Sequence, residues 1–301
     1  MTQARLPRVV MVTRPTEYEQ MLAEHGTRGQ AEFFLRARGG EITEPEERHH
    51  RLTAARDMVT AAIPRQWRRG MVTRGDLDRF LFEPDDVIVV IGQDGLVPNV
   101  AKYLTGQPVI GVNPDPASYE GVLVRCTPGE AADLLQPAAA GRAAVEERAM
   151  AEARLDDGTT LLALNEIFIG HCSHQSARYR LASAQTQLHQ ISSGLIVCTG
   201  TGSTGWARSI SLERQSTLPL PQPTEHRLAF FVREPFPASG SQTTIREGSL
   251  DAGDWLTAWS EMETGGSIFA DGIETDSLPF DWGRRVDVHL APAHLHLVIP
   301  A

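Results

Sequence analysis

The sequence is short of cysteine, lysine, positive charge and long apolar runs, and each shortage excludes something. Its three cysteines, Cys126, Cys172 and Cys198, lie far apart and form no C-x-x-C pair. So sparse and odd a set makes no disulfide framework and fits a reducing compartment. Lys102 is the single lysine, so P-loop lysine chemistry is ruled out anywhere else. No apolar stretch approaches the roughly 18 residues that span a bilayer. Residues 1–7 lack the apolar core of a signal peptide. The expectation is a soluble cytoplasmic protein with no membrane partner. Against 38 acidic residues stand 28 basic ones, a net charge of −10. General nucleic-acid binding needs a basic surface, so no such partner is expected. A small anion is still admitted, because backbone N–H groups can hold phosphate against an acidic background.

What is present is a globular pattern long enough for two domains. A hydrophobic fraction of 41% over 301 residues supports a core in each. Residues 8–13 form a β-branched run that reads as a buried strand. One broken helix or two short ones follow over 16–38, and a further helix over 46–63 ends before Pro64. Residues 85–91, Asp-Asp-Val-Ile-Val-Val-Ile, are the clearest strand in the chain. A helix over 97–104 and a strand over 108–113 come next. Strands alternating with helices imply a parallel sheet with helices on both faces. The alanine- and glutamate-rich stretch 131–153 reads as a connecting helix. Beyond it, short strands are expected over 159–164, 166–170, 178–183, 194–198, 228–232, 255–259 and 286–290, separated by Gly, Pro and Asp. The expected organisation is an α/β domain over 1–148 and a β-rich, sandwich-like domain over 149–301.

Two stretches could carry chemistry. Gly92, Gln93, Asp94 and Gly95 stand at the C-terminal end of the 85–91 strand, where ligands collect in open parallel sheets. Gly92 and Gly95 would let the backbone approach a phosphate, and Asp94 could accept a proton or bind a metal. An ordinary turn with Asp94 as helix N-cap accounts for the same residues. Residues 198–205, Cys-Thr-Gly-Thr-Gly-Ser-Thr-Gly, suit a loop that wraps hydroxyls around a nucleotide, with Gly202 at a phosphate and Trp206 stacking on a base. A flexible hairpin is the plain alternative, although two residues would suffice for one. Asn165 and Glu166 interrupt an apolar stretch and are either a strand end or a ligand contact. His171, Cys172 and His174 are metal-ligand types, but no second cluster completes a four-ligand set. No protein-held metal is therefore assigned. His294 and His296 read as strand surface residues.

Taken together these stretches resemble the NAD kinase family, and its mitochondrial branch more than the bacterial type. The resemblance runs over nearly the whole chain. It is carried by 108–116 (Pro-Val-Ile-Gly-Val-Asn-Pro-Asp-Pro), 164–170 (Leu-Asn-Glu-Ile-Phe-Ile-Gly), 192–203, the Arg-Glu-Pro at 233–235, and a late segment over 265–272. It implies transfer of the γ-phosphoryl group of ATP, or of polyphosphate, to the adenosine ribose 2′-hydroxyl of NAD with Mg²⁺, by a homodimer or homotetramer. Asp94 matches the family's catalytic aspartate. Asn165 and Glu166 match the pair that hydrogen-bonds the adenosine part of NAD. Thr204, Gly205, Trp206 and Ser209 match loop positions lining the dinucleotide site, with Thr199, Thr201 and Ser203 in the same loop. The bacterial pattern has aspartate where Ser193 stands and proline where Gly200 stands; the mitochondrial branch is like this chain at both. The family reads Gly-Gly-Asp-Gly-Thr where this chain reads Gly-Gln-Asp-Gly-Leu over 92–96. If Gln93 took a left-handed conformation, the cost would be about 1–2 kcal/mol. Leu96 removes a hydroxyl able to bond phosphate or metal-bound water. Two other readings stay open: a non-catalytic NAD(H)-binding sensor, and a kinase for another adenosine-containing nucleotide or nucleoside.

Overall fold

The computed structural model describes residues 6–183, 186–236 and 245–300. Residues up to Glu146, together with His296 onward, form one compact unit, and Glu147–Leu295 form the other. The cut falls at 146/147, beside the expected 148, and the last residues belong to the first unit rather than the second.

In the first unit, β1 (Arg8–Thr13) leads into α1 (Glu17–His25) and α2 (Arg28–Arg36). Thr16 starts α1 with a capping box to Glu19, and the Thr27 hydroxyl accepts the Gln30 N–H to start α2. Then come α3 (Thr43–Ala62), β2 (Arg68–Thr73), β3 (Asp86–Ile91), α4 (Leu96–Ala101), β4 (Pro108–Val112) and α5 (Pro128–Ala139). The sheet order is β2-β1-β3-β4, with His296 and Leu297 pairing beside β4, and every pairing is parallel. The turns that follow β3 and β4 therefore open on one edge of the sheet. On one face, Ala55, Val59 and Ile63 of the α3 segment and Leu135 of α5 pack with Val87, Val89 and Ile110. The alternate residues Val10, Val12, Ile88 and Val90 are buried too, so these strands read as unbroken apolar runs.

Asp86 is the polar exception, fully buried at the start of β3. Arg8 grips it through Nε at 2.7 Å and Nη2 at 2.6 Å, and the Glu83 N–H donates to it at 2.7 Å. Asp86→Ala should cost about 3 kcal/mol, because it leaves a largely buried guanidinium without its main partner. Urea unfolding followed by amide signals of β1 and β3 checks this; an unchanged midpoint would show the pair to be dispensable.

The stretch 131–153 is not one helix. Thr127 opens α5 with a capping box to Glu130, and Gly141, left-handed at φ 63°, ends it. A strand, β5 (Val145–Leu155), follows. Alanine favours helix, but Ala151 and Ala153 are buried in the sheet core of the second unit, and packing outweighs propensity. β2 was not expected at all, because an edge strand written Arg-Arg-Gly-Met-Val-Thr shows neither alternation nor an apolar run.

The second unit continues with β6 (Thr160–Ala163), β7 (Glu166–His171), β8 (Ala177–Ser183), β9 (Thr186–Ser192) and β10 (Leu195–Cys198). After α6 (Trp206–Arg214) come β11 (Leu228–Val232), β12 (Glu247–Leu250), β13 (Leu256–Ser260), β14 (Gly266–Ala270), β15 (Ile273–Pro279) and β16 (Arg285–Val298). One sheet runs β16-β13-β8-β9, with β5 joining β16 to β6; the other runs β12-β11-β10-β7-β14-β15. Inward residues of both sheets, among them Ile167, Tyr179, Leu181, Val197, Phe230 and Val286, form one core. The opposite face of the second sheet is covered by Ala207 and Ile210 of α6 over Ile196, Ala229 and Phe231. The outcome is the expected pair of architectures, a parallel α/β unit and a β-rich sandwich. Among the described residues no helix is long and apolar enough to cross a membrane.

Candidate functional site

In the first unit the turn after β3 is held by the loop that follows β4. Gly92 N donates to Val112 O at 3.1 Å, and the Tyr119 hydroxyl donates to Gly92 O at 3.1 Å. Burial, with the charges of Asp115 and Asp94 nearby, pushes the Tyr119 phenol up to about 12, so it stays a donor. Asp94 is not a helix cap. Its Oδ1 accepts the N–H groups of Leu123 at 2.8 Å and Val124 at 3.0 Å, and its Oδ2 accepts that of Val122 at 2.9 Å. An ionised carboxylate offers about four acceptor sites, so one remains, on Oδ2. Among the described residues the non-glycine positions with positive φ are Gln215, Glu234 and Asp271, so the strain considered for Gln93 does not arise. Its amide oxygen instead accepts Arg14 Nη2 at 2.6 Å. Leu96 is buried at the start of α4, and Gly95 is exposed.

In the second unit the structure brings the Asn-Glu pair and the glycine-hydroxyl loop together. Asn165 and Glu166 sit where β6 passes into β7. Thr199 N donates to Asn165 O at 2.9 Å, and the Thr199 hydroxyl donates to Leu164 O at 2.5 Å. The same Thr199 oxygen accepts from Thr201 N and Gly202 N, and the Ser203 hydroxyl donates back to Thr199 O at 3.0 Å. Arg148, fully buried, reaches Thr201 Oγ1 through Nη1 at 3.4 Å. Thr199, Thr201 and Ser203 are therefore buried and build the loop, whereas Thr204, Gly205 and Ser209 are exposed on it. Gly202 lies so close to the Asn165 carbonyl that a Cβ there would overlap it. The Glu166 carboxyl is pushed up to about 7, first by burial and then by the charge of Asp271.

Trp206 opens α6 and lies parallel to Phe168, their centroids 5.9 Å apart, with the Arg233 guanidinium 4.9 Å from the Trp206 ring. These three side chains, with Ser193, Phe269 and Glu274, border a cavity of about 480 Å³. A stack of rings beside a cation and hydroxyls suits a flat heterocycle carrying negative charge. His171, Cys172 and His174 fall on the same cavity. The His171 Nδ1 is taken by the N–H and hydroxyl of Ser173, and among the described residues no three His, Cys, Asp or Glu side chains converge. His296 Nδ1 donates to Gly106 O across 2.8 Å, since a carbonyl oxygen only accepts. Reading the sequence alone missed Arg148, Asp271, Tyr119 and the N–H groups of 122–124. Only Asp271 had a local signal, an Asp-Gly turn between two strands.

No family model matches the chain. A protein of Symbiobacterium thermophilum named NAD kinase is 32% identical over 227 residues, 71% of this chain and 73% of that protein. A Methylococcus capsulatus protein of the same name is 36% identical over 133 residues, 44% of its length. The human protein named NAD kinase 2, mitochondrial, is 27% identical over 316 aligned positions, 77% of this chain. Among solved structures, yeast NADH kinase complexed with NADH superposes with a TM-score of 0.60 at 16% identity, covering 99% of this chain and 85% of its own. An NAD kinase from Archaeoglobus fulgidus in complex with ATP gives 0.57 at 18%, covering 97% and 94%. The two structures share the fold.

Proposed function

The chain belongs to the NAD kinase family of phosphotransferases, and from that premise we propose that it phosphorylates the adenosine ribose 2′-hydroxyl of NAD to give NADP. ATP, or polyphosphate, is the donor and brings Mg²⁺ as its counter-ion. One observation carries the reading. Asn165–Glu166 and the 199–206 loop, distant in sequence, interlock into a single surface beside the Trp206 cavity. A neutral Glu166 offers a hydroxyl donor and a carbonyl acceptor to an adenosine, and Asn165 offers the complementary amide. Trp206 and Arg233 suit a nucleotide ring and its charge. Among the described residues no carboxylate cage for Mg²⁺ is formed, so no metal step is assigned to the protein's own side chains.

In the proposed reaction the 2′-oxygen forms the new bond to the terminal phosphorus as the bond to the bridging oxygen breaks. The hydroxyl proton passes to the free acceptor site of Asp94 and on to solvent. The exposed turn at Gly95 is assigned to phosphate oxygens. Ser193 and Gly200 support placement in the mitochondrial-type branch, and a homodimer or homotetramer in the cytoplasm is proposed with it.

The test is NADP formation from NAD and Mg²⁺ with either ATP or polyphosphate. Product with one donor is expected. A sample that binds NAD by calorimetry yet makes no NADP with either would transfer the assignment to a non-catalytic NAD(H)-binding sensor. Leu96, buried where the family's pattern has a threonine hydroxyl, is the residue that favours this second reading.

A further inference from the structure

We infer that Asp271 is a positioning residue of the dinucleotide site: from the β14–β15 turn its carboxylate gathers three consecutive backbone N–H groups and so fixes the direction of both Asn165 and Glu166. The inference rests on the proposed reading of that pair as the adenosine contact.

The geometry is specific. Asp271 Oδ2 accepts the Leu164 N–H at 3.0 Å, and Oδ1 accepts those of Asn165 at 2.6 Å and Glu166 at 3.3 Å. Its own N–H returns the contact, donating to Glu166 O at 3.0 Å. The β14–β7 ladder ends at Ala270 opposite Ile167, so Asp271 is the first residue past the pairing and continues it by side chain. It does so in the left-handed region at φ 53°. Aspartate before glycine is an ordinary pair for such a turn, so the conformation alone singles nothing out. The three backbone donors aimed at its carboxylate are the constraint beyond turn closure. Through Asn165 the same anchor reaches the loop, because the Asn165 carbonyl accepts the Thr199 N–H.

Asp271 also sets the charge beside the ligand. Glu166 faces Asp271 from the hairpin and Cys198 across the β10 ladder. The Cys198 thiol is pushed up to about 12, mainly by burial, and is neutral. Asp271 is therefore the charge that, after burial, keeps a proton on Glu166 near neutrality, giving that side chain a donor as well as an acceptor.

The experiment compares wild type with Asp271→Asn and Asp271→Glu. Asparagine tolerates the left-handed backbone and keeps one acceptor oxygen, but it removes the charge and turns an NH₂ toward the Leu164 N–H. NAD affinity by calorimetry should fall about 10- to 100-fold, with the KM for the phosphoryl donor unchanged. The Glu166 carboxyl, titrated by ¹³C NMR, should show a midpoint below the wild-type value of about 7. Asp271→Glu keeps the charge but displaces it, so the midpoint should stay raised while affinity still falls. Faster amide exchange at 164–166 with NAD affinity and the Glu166 midpoint unchanged would make Asp271 merely structural and overturn the inference. If Asp271→Asn does not fold, undiminished affinity in Asp271→Glu overturns it equally. A wild-type protein that binds no NAD removes the functional reading and this inference with it, whereas wild-type binding with indifferent variants removes the inference alone.

Discussion

Asp94→Asn is expected to lower kcat by about 10²–10⁴-fold while NAD affinity stays at the wild-type level. Two jobs compete for this carboxylate. One is mechanical: it ties the loop over 122–124 to the turn after β3 through three N–H groups. The other is chemical, since the remaining acceptor site on Oδ2 is free to take the proton of a substrate hydroxyl. Asparagine separates them. Its single oxygen can replace Oδ1 toward Leu123 and Val124, so most of the anchoring persists, but an amide cannot accept a proton. If anchoring were the whole role, Asp94→Asn would keep most of its turnover, and only Asp94→Ala, which frees all three donors, would lose it. Turnover retained in Asp94→Asn sinks the chemical assignment.

Gly202→Ala should do damage out of proportion to one methyl group. The added Cβ would overlap the carbonyl oxygen and carbon of Asn165, both backbone atoms that cannot swing away. Relief requires the 199–204 turn to separate from Asn165, which breaks the Thr199 N–H bond to the same carbonyl. Forced overpacking of this kind costs about 1–3 kcal/mol. Much of that strain falls on the residue proposed to meet the adenosine, so NAD should bind at least about tenfold more weakly. Gly29→Ala is the control, because nothing lies within 4 Å of a Cβ at that position in α2. Calorimetric NAD titration of both variants decides it. Equal affinities would mean that the loop and Asn165 move independently, against the interlocked surface on which the proposed function rests.

Local chemistry explains what the sequence revealed. Strands buried on both faces announce themselves: β1, β3 and β11 are unbroken β-branched or aromatic runs, and their limits were readable within a residue. The turn at 92–95 and the loop at 198–205 stood out because glycines and hydroxyls ended such runs. Edge strands did not announce themselves. β2 and β12 bury little, so nothing in their composition separates them from loops. Ala149, Ala151 and Ala153 misled because alanine's preference is helical while its small side chain also fits a close-packed sheet. Asp271 was hidden for another reason: its partners are backbone N–H groups over a hundred residues away, and backbone groups leave no trace in sequence. Arg148 was equally silent, one arginine in a charged stretch until β5 buried it against Thr201.

The return of the chain's last residues to the first unit sets an order of assembly. His296 and Leu297 pair in parallel with β4, and Ile299 N bonds to Ala144 O. During synthesis, everything from β1 to α5 has left the ribosome well before this strand exists. Until then the start of β4, at Pro108 and Val109, is an open edge. The first unit is therefore finished after the second has been made, contrary to the usual order in which N-terminal domains mature first. A nascent chain arrested before residue 296 carries a complete second unit beside a first one that is still exposed to mispairing.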